Sequence, residues 1–205
     1  DEVLHLDDDA WLDAKHSARL LDMLGVAQGE IKRLDLIIGQ FLTAIRPTQP
    51  QLQRVRINDL IEESVKFLDP ELTQARVTVK LDLATAVPAM PLDANQMKQA
   101  FYNLIRNACQ AMSEGGTLAI ASIATDFEVR LTFADSGRGI STTNMSNLFQ
   151  PFFTTRKTGT GLGLLIVRRI IREHGGEIEL ESREGEGTKV TIYLPLVEKK
   201  MRLLQ

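Results

Sequence analysis

The sequence predicts an α+β fold: a mixed β-sheet with helices on one face, a two-layer α/β sandwich, preceded by one long heptad-patterned helix. Three observations carry this. Apolar residues from Leu20 to Ile45 alternate spacings of four and three without a break, the pattern of a helix in a bundle or coiled coil. Val77–Leu83 and Val129–Ala134 alternate at period two, as half-buried strands do. After Pro50, strand-like and helix-like stretches follow one another instead of clustering by type.

The elements follow in order. Asp7, Asp8 and Asp9 suit a helix start, by capping and by meeting the positive end of the helix dipole. Residues 10–46 then form the long helix, with Leu20, Leu24, Ala27, Ile31, Leu34, Ile38, Phe41 and Ile45 as its seam, and Pro47 and Pro50 stop it. Gly25, Gly29 and Gly39 each weaken it by roughly 1 kcal/mol relative to alanine, so it depends on packing. No partner helix is present in the sequence, and the seam is expected to make a homodimer through helix 10–46. Residues 1–47 are thus read as part of a helical dimerisation domain, its second helix only. A linker follows at 48–54, the main domain at 55–198 and a tail at 199–205. Within the domain, Val55–Ile57 reads as a strand, Asn58–Leu68 as a helix and Val77–Leu83 as a strand. Asp93–Met112 is a long amphipathic helix ending before Gly115-Gly116, and Thr117–Ile123 pairs with Val129–Ala134. Ser136–Thr160, rich in Gly, Ser, Thr and Asn, is too long for a simple connector and reads as a functional lid. Leu162–His174 is helical, and Glu177–Ser182 and Thr188–Leu194 close the sheet.

Bulk properties narrow the function. Length of 205 residues suffices for one sizeable core plus an accessory element. A net charge of −3 gives no basic excess, which argues against nucleic acid as a partner. The lone Cys109 lies in an apolar helical run and reads as a buried inert thiol. No apolar run reaches the roughly 18 residues of a membrane span, so no membrane contact is expected here and the location is cytoplasmic, within a parent that is free to be membrane-anchored. The chain begins at Asp1 rather than Met, and the expectation is a piece of a longer protein carrying an upstream sensor domain.

Four sequence boxes in fixed order carry the chemistry. They read Asn103-Leu-Ile-Arg-Asn107-Ala, Asp135-Ser-Gly137-Arg-Gly139-Ile140, Phe149-Gln-Pro-Phe152-Phe153-Thr-Thr155-Arg156, and Gly159-Thr160-Gly161-Leu162-Gly163-Leu164. Taken singly, a glycine pair is a turn and Asp135 a strand-end residue. Asn103 and Asn107, four apart, project from one helix face, and amide oxygens are hard neutral ligands suited to Mg²⁺ that keeps most of its waters. Asp135 closes an apolar strand, where its carboxylate is able to accept a hydrogen bond from an adenine amino group. Gly137 and Gly139 let backbone pass close to a purine, and Ile140 offers an apolar wall. Gly159–Leu164 places flexible backbone directly before a helix start, where amides and dipole favour phosphate oxygens. Its spacing is not that of a dinucleotide fingerprint, and a P-loop lysine motif is missing. Arg156 and Lys157 lie on the lid within reach of β- and γ-phosphates. Phe149, Phe152 and Phe153 read as an anchor packing the lid on the domain.

Together the boxes resemble the N, G1, F and G2 boxes of the catalytic ATP-binding domain of sensor histidine kinases, within the superfamily shared with gyrase-type topoisomerases and heat-shock chaperone ATPases. The resemblance covers about residues 50–197, and residues 20–47 resemble the dimerisation helix of nitrogen-regulation-type kinases. It implies ATP and Mg²⁺ as cofactors, Asn107 as the magnesium ligand, and Thr188 as a support for the base contact. Relatives that hydrolyse ATP place a glutamate base at the position of Asn103, so Asn103 implies phosphoryl transfer to a protein, with Arg156 and Lys157 as catalytic cations. Phe149, Thr155, Arg156 and Lys157 of the lid box and Gly159, Thr160, Gly161, Leu162, Gly163 and Leu164 of the glycine box are implied to line the nucleotide. A response-regulator receiver domain is the implied partner. The family's phosphoacceptor histidine precedes an acidic residue, whereas His5, His16 and His174 precede Leu6, Ser17 and Gly175. The acceptor is therefore expected upstream of Asp1. Two alternatives share the pocket: a serine kinase of the anti-sigma-factor type, and a nucleotide-gated interaction module without transfer activity.

Overall fold

The computed structural model describes residues 16, 19–31, 39, 49–154 and 159–196. The chain divides into two units, Asp1–Ile45 and Arg46–Gln205. In the first, residues 19–31 are helical (α1), and Leu20, Leu24 and Ile31 of the expected seam are each more than half exposed. The seam residues Leu34, Ile38, Phe41 and Ile45 lie outside the described residues.

The second unit runs β1 (Gln53–Val55), α2 (Ile57–Phe67), α3 (Asp69–Gln74), β2 (Val77–Leu83), β3 (Met90–Leu92), α4 (Ala94–Ala111), β4 (Gly116–Ala124), β5 (Glu128–Asp135), α5 (Thr142–Met145), α6 (Gly163–Glu173), β6 (Glu177–Arg183) and β7 (Gly187–Pro195). Five strands form a mixed sheet in the order β2-β4-β5-β7-β6, with β2 parallel to β4 and the other pairs antiparallel. β1 and β3 form a separate antiparallel ribbon. The period-two pattern explains why one face is covered. Leu118 and Ile120 on β4, Val129, Leu131 and Phe133 on β5, and Val190, Ile192 and Leu194 on β7 are buried, while their neighbours Ala119, Arg130 and Lys189 are exposed.

Helices cover the apolar face with stripes of their own. On α4, Met97, Ala100, Phe101, Leu104, Ile105 and Ala108 are buried, a spacing of three and four that keeps one side inward. Phe101 meets Phe133 of the sheet at 5.6 Å between ring centres. Burying side chains of this size contributes roughly 1.5–3 kcal/mol each. α6 presents Ile166, Val167, Ile170 and Ile171 in the same way.

The α+β architecture with helices on one face is as the sequence predicts. The differences are local. β1 lies two residues earlier than the expected 55–57 strand, because Ile57 is fully buried as the first residue of α2 and cannot belong to an exposed strand. α3, β3 and α5 are additional elements. Pro70 sits in the first turn of α3, where its missing N–H costs nothing. β3 contains Pro91, which the two-stranded β1–β3 ribbon accommodates.

One cluster joins three segments. Asp93 caps α4, its Oδ1 accepting the Asn95 and Gln96 amides at 3.0 Å each, while Oδ2 accepts the Gln51 amide at 2.9 Å. The Asp93 amide in turn donates to His174 Nε2 at 2.9 Å, so the ring carries its proton on Nδ1, 2.8 Å from the Ile170 carbonyl that accepts it. His174 thereby caps α6, in keeping with a structural role. Burial pushes the Asp93 carboxyl up, but the amides of Gln96, Gln51 and Asn95 outweigh it, and the group titrates below the ordinary carboxylate value. A lowered folded-state pKa adds stability above the unfolded value and loses it as pH falls through the folded one. Asp93→Ala should therefore lower stability by about 1 kcal/mol at neutral pH. The gap from the parent should close as pH drops below about 4, measured by urea denaturation at a series of pH values.

Candidate functional site

The site forms where α4, the start of α6 and one end of the sheet meet. Asn103 and Asn107 lie one turn apart on α4, half-buried. The Asn103 amide Nδ2 donates to the Gln99 carbonyl at 2.9 Å, which leaves Oδ1 turned outward from its own helix. That oxygen points at the first turn of α6: a Cβ on Gly163 would lie 3.2 Å from Asn103 Oδ1 and 3.8 Å from Asn107 Nδ2. A glycine here lets two amide side chains approach a helix N-terminus that has no side-chain cap.

The same face of α4 continues one turn further to Ala111, whose carbonyl accepts the Arg138 amide at 3.1 Å. Gly137 is buried against it, and a Cβ there would come within 2.8 Å of Ala111 and of Asp135 Oδ1. Asp135 Oδ1 accepts the Gly137 amide at 2.9 Å and the Thr188 amide at 3.3 Å. Asp135 and Thr188 are direct partners across β5 and β7, and Ser182 of β6 pairs with Thr188 in turn. Gly139 has φ +67, and a Cβ on it would strike the Arg183 carbonyl, so the G1 loop lies flush on the β6–β7 turn. The Ile140 amide donates to Ser182 Oγ at 2.9 Å.

On the lid, Phe149 sits beneath the Arg168 guanidinium, 4.7 Å from the ring centre, which ties this segment to α6. Phe153 is half-buried, while the Phe152 side chain is 55% exposed with φ 64. Their backbone meets the glycine loop: Gly161, φ +67, packs so tightly that a Cβ would strike the Phe152 carbonyl carbon and lie 2.7 Å from Phe153 N. Gly159, Thr160, Gly161 and Leu164 are half-buried around this contact, whereas Leu162 is fully buried and offers only its backbone. Thr155, Arg156 and Lys157 lie outside the described residues. Cys109 is half-buried rather than buried; burial first, then the Glu71 charge, push its thiol up, which keeps it protonated and inert.

Asn103, Asn107, Asp135, Gly137, Gly139, Ile140, Gly163 and Thr188 are thus linked through contacts to α4, α6 and the sheet end. Ala111, Ser182 and Arg168 join the site although they belong to none of the four boxes. Ala111 was findable, since it continues the four-residue spacing of Asn103 and Asn107. Ser182 is the third inward position of Ile178, Leu180 and Ser182, a polar residue where the pattern wants an apolar one.

Comparison with known proteins identifies the family to which the chain belongs. Residues 92–198 match the family described as histidine kinase-, DNA gyrase B-, and HSP90-like ATPase. The chain belongs to this family, and nucleotide binding comes with it. It is 32% identical over 167 residues to the sensor histidine kinase ZraS of Escherichia coli (strain K12), covering 82% of this chain and 36% of that protein. It is 34% identical over 172 residues to sporulation kinase E of Bacillus subtilis (strain 168), covering 83% of this chain and 23% of that one. The chain thus spans only about a third or a quarter of these relatives. Among solved structures, the nucleotide-free catalytic domain of histidine kinase ThkA superposes with a TM-score of 0.65 at 32% identity, over 71% of this chain and 96% of that one. ThkA in complex with the response regulator protein TrrA gives 0.73 at 28% identity, over 96% and 55%.

Gly139→Ala tests the tight docking of the G1 loop. A left-handed residue with a Cβ aimed at the Arg183 carbonyl should cost about 1–3 kcal/mol, read by thermal or urea unfolding without ligand.

Proposed function

We propose that this chain is the ATP-binding catalytic region of a sensor histidine kinase. ATP lies between α4, the α6 N-terminus and the Asp135–Thr188 end of the sheet, and its γ-phosphoryl group passes to a histidine of the dimerisation domain. The P–O bond to the β-phosphate breaks, a P–N bond forms, ADP leaves, and the phosphoryl group moves on to a response-regulator aspartate. The observation that carries the reading is the convergence of Asn103 and Asn107 on Gly163, one α4 turn from the Ala111–Gly137–Asp135 contact. Phosphate and base subsites are thus tied to a single helix.

The residues fit a magnesium ion. Asn107 would hold it through its amide oxygen, beside phosphate oxygens and waters, and the ion supplies neutralisation of the phosphate charge. Asn103 carries no proton-accepting carboxylate, which favours positioned transfer over water activation. Arg156 and Lys157 are assigned to the β- and γ-phosphates, and Thr155, Phe149 and Ile140 to the pocket wall. Helix 10–46 is assigned to a homodimer; the exposed Leu20, Leu24 and Ile31 of α1 support it. The ThkA–TrrA complex supports a receiver domain as partner. Among the described residues no helix is long and apolar enough to cross a membrane.

Transfer is tested with radiolabelled ATP and a histidine-bearing dimerisation fragment of the parent. Acid-labile, alkali-stable label on that fragment is expected; label on serine of a partner would favour an anti-sigma-type kinase, and binding without transfer an interaction module. Asp135→Asn should weaken ATP by roughly 1–3 kcal/mol, since it mismatches a buried hydrogen bond, as titration calorimetry would read. Asn107→Ala should abolish the magnesium-dependent part of the affinity while circular dichroism stays that of the parent.

A further inference from the structure

Four residues from four strands form one cross-strand row on the helix-facing side of the sheet: Leu118, Asp135, Thr188 and Ser182. The hydroxyl at its end has a settled proton. Ser182 Oγ accepts the Ile140 amide at 2.9 Å and donates to the Gly187 carbonyl at 2.7 Å, because a carbonyl only accepts. Its contact with Thr188 Oγ1 at 2.9 Å is therefore one in which Thr188 donates. With that proton committed, Thr188 has only lone pairs for anything else. Its neighbour Asp135, which accepts the Thr188 amide, is also an acceptor.

We propose that Ser182 is a specificity-determining positioning residue, holding the Thr188 proton so that the base pocket accepts only a purine edge that carries a hydrogen-bond donor there. An amino group, as in adenine, meets two acceptors and is bound. A carbonyl, as in hypoxanthine, meets the same two acceptors and is repelled. Ser182 need not touch the nucleotide to do this. Without its hydroxyl, Thr188 is able to rotate and donate to the carbonyl, and rejection weakens. The inference rests on the base-pocket reading of Asp135 and Thr188.

The test is calorimetric titration of ATP and ITP into the chain and its variants. Ser182→Ala should lower the ATP-to-ITP affinity ratio by about tenfold, the scale of one hydrogen bond, and Ser182→Thr, which keeps the hydroxyl, should restore it. Isosteric Thr188→Val should lower the ratio too, and Ser182→Ala added to it should change nothing further, because residues acting through one another are not additive. A merely structural role for Ser182 would weaken both nucleotides equally and leave the ratio untouched, which overturns the proposal. If Ser182→Ala does not fold, full discrimination in Thr188→Val overturns it instead. Asp135→Asn separates the two levels. Unchanged ATP binding in that variant removes the base pocket itself, whereas weakened binding with an unaltered ratio in Ser182→Ala removes only this inference.

Discussion

The antiparallel pairing of α4 and α6, held at one end by Asp93 and His174, is the constraint on which the site depends. The Asp93 amide donates to the imidazole that caps α6, and the Asp93 carboxylate caps α4. From that shared point α4 needs ten to fourteen residues to reach Asn103 and Asn107, and α6 runs back eleven to Gly163. At about 1.5 Å per residue the two paths are nearly equal in length. The amide side chains and the open helix N-terminus consequently arrive at the same place. A change of one turn in either helix would separate them by about 5 Å.

Packing makes that geometry stiff. The buried stripe of α4 rests on β5 through Phe101 and Phe133, and the stripe of α6 lies beside it, so neither helix is free to roll. Surface ion pairs add little. Arg106 and Glu71, bidentate but each 46% exposed, are worth at most about 1 kcal/mol. The outer face of the sheet, with Arg130 over Tyr193 and Tyr193 bonded to Glu179, is a solvated surface of the same modest kind.

Glycine does a specific task at the site rather than a general one. Gly139 and Gly161 adopt left-handed backbone, and in each a side chain would strike another segment of main chain. The G1 loop is thereby seated on the β6–β7 turn and the G2 loop on the F segment. Loops that a sequence presents as flexible are, at these two points, closely packed backbone.

Much of this was legible along the chain. Period two over Val77–Leu83 marked that strand to the residue, although Leu81 on it is exposed, and the three-four stripe with Asp93 before it marked α4, because that stripe records a single buried face. The spacing of Asn103 and Asn107 placed them together for the same local reason. What the sequence could not carry was pairing between segments distant in the chain. That β5, β7 and β6 line up Asp135, Thr188 and Ser182 follows from strand register, and register is decided by the whole sheet. That Phe152 turns outward while its backbone meets Gly161 follows from a loop-on-loop contact with no periodicity to announce it. Local pattern determined the elements and the candidate residues; only tertiary packing decided which of them touch, because hydrogen-bond partners and steric fit are properties of the assembled chain.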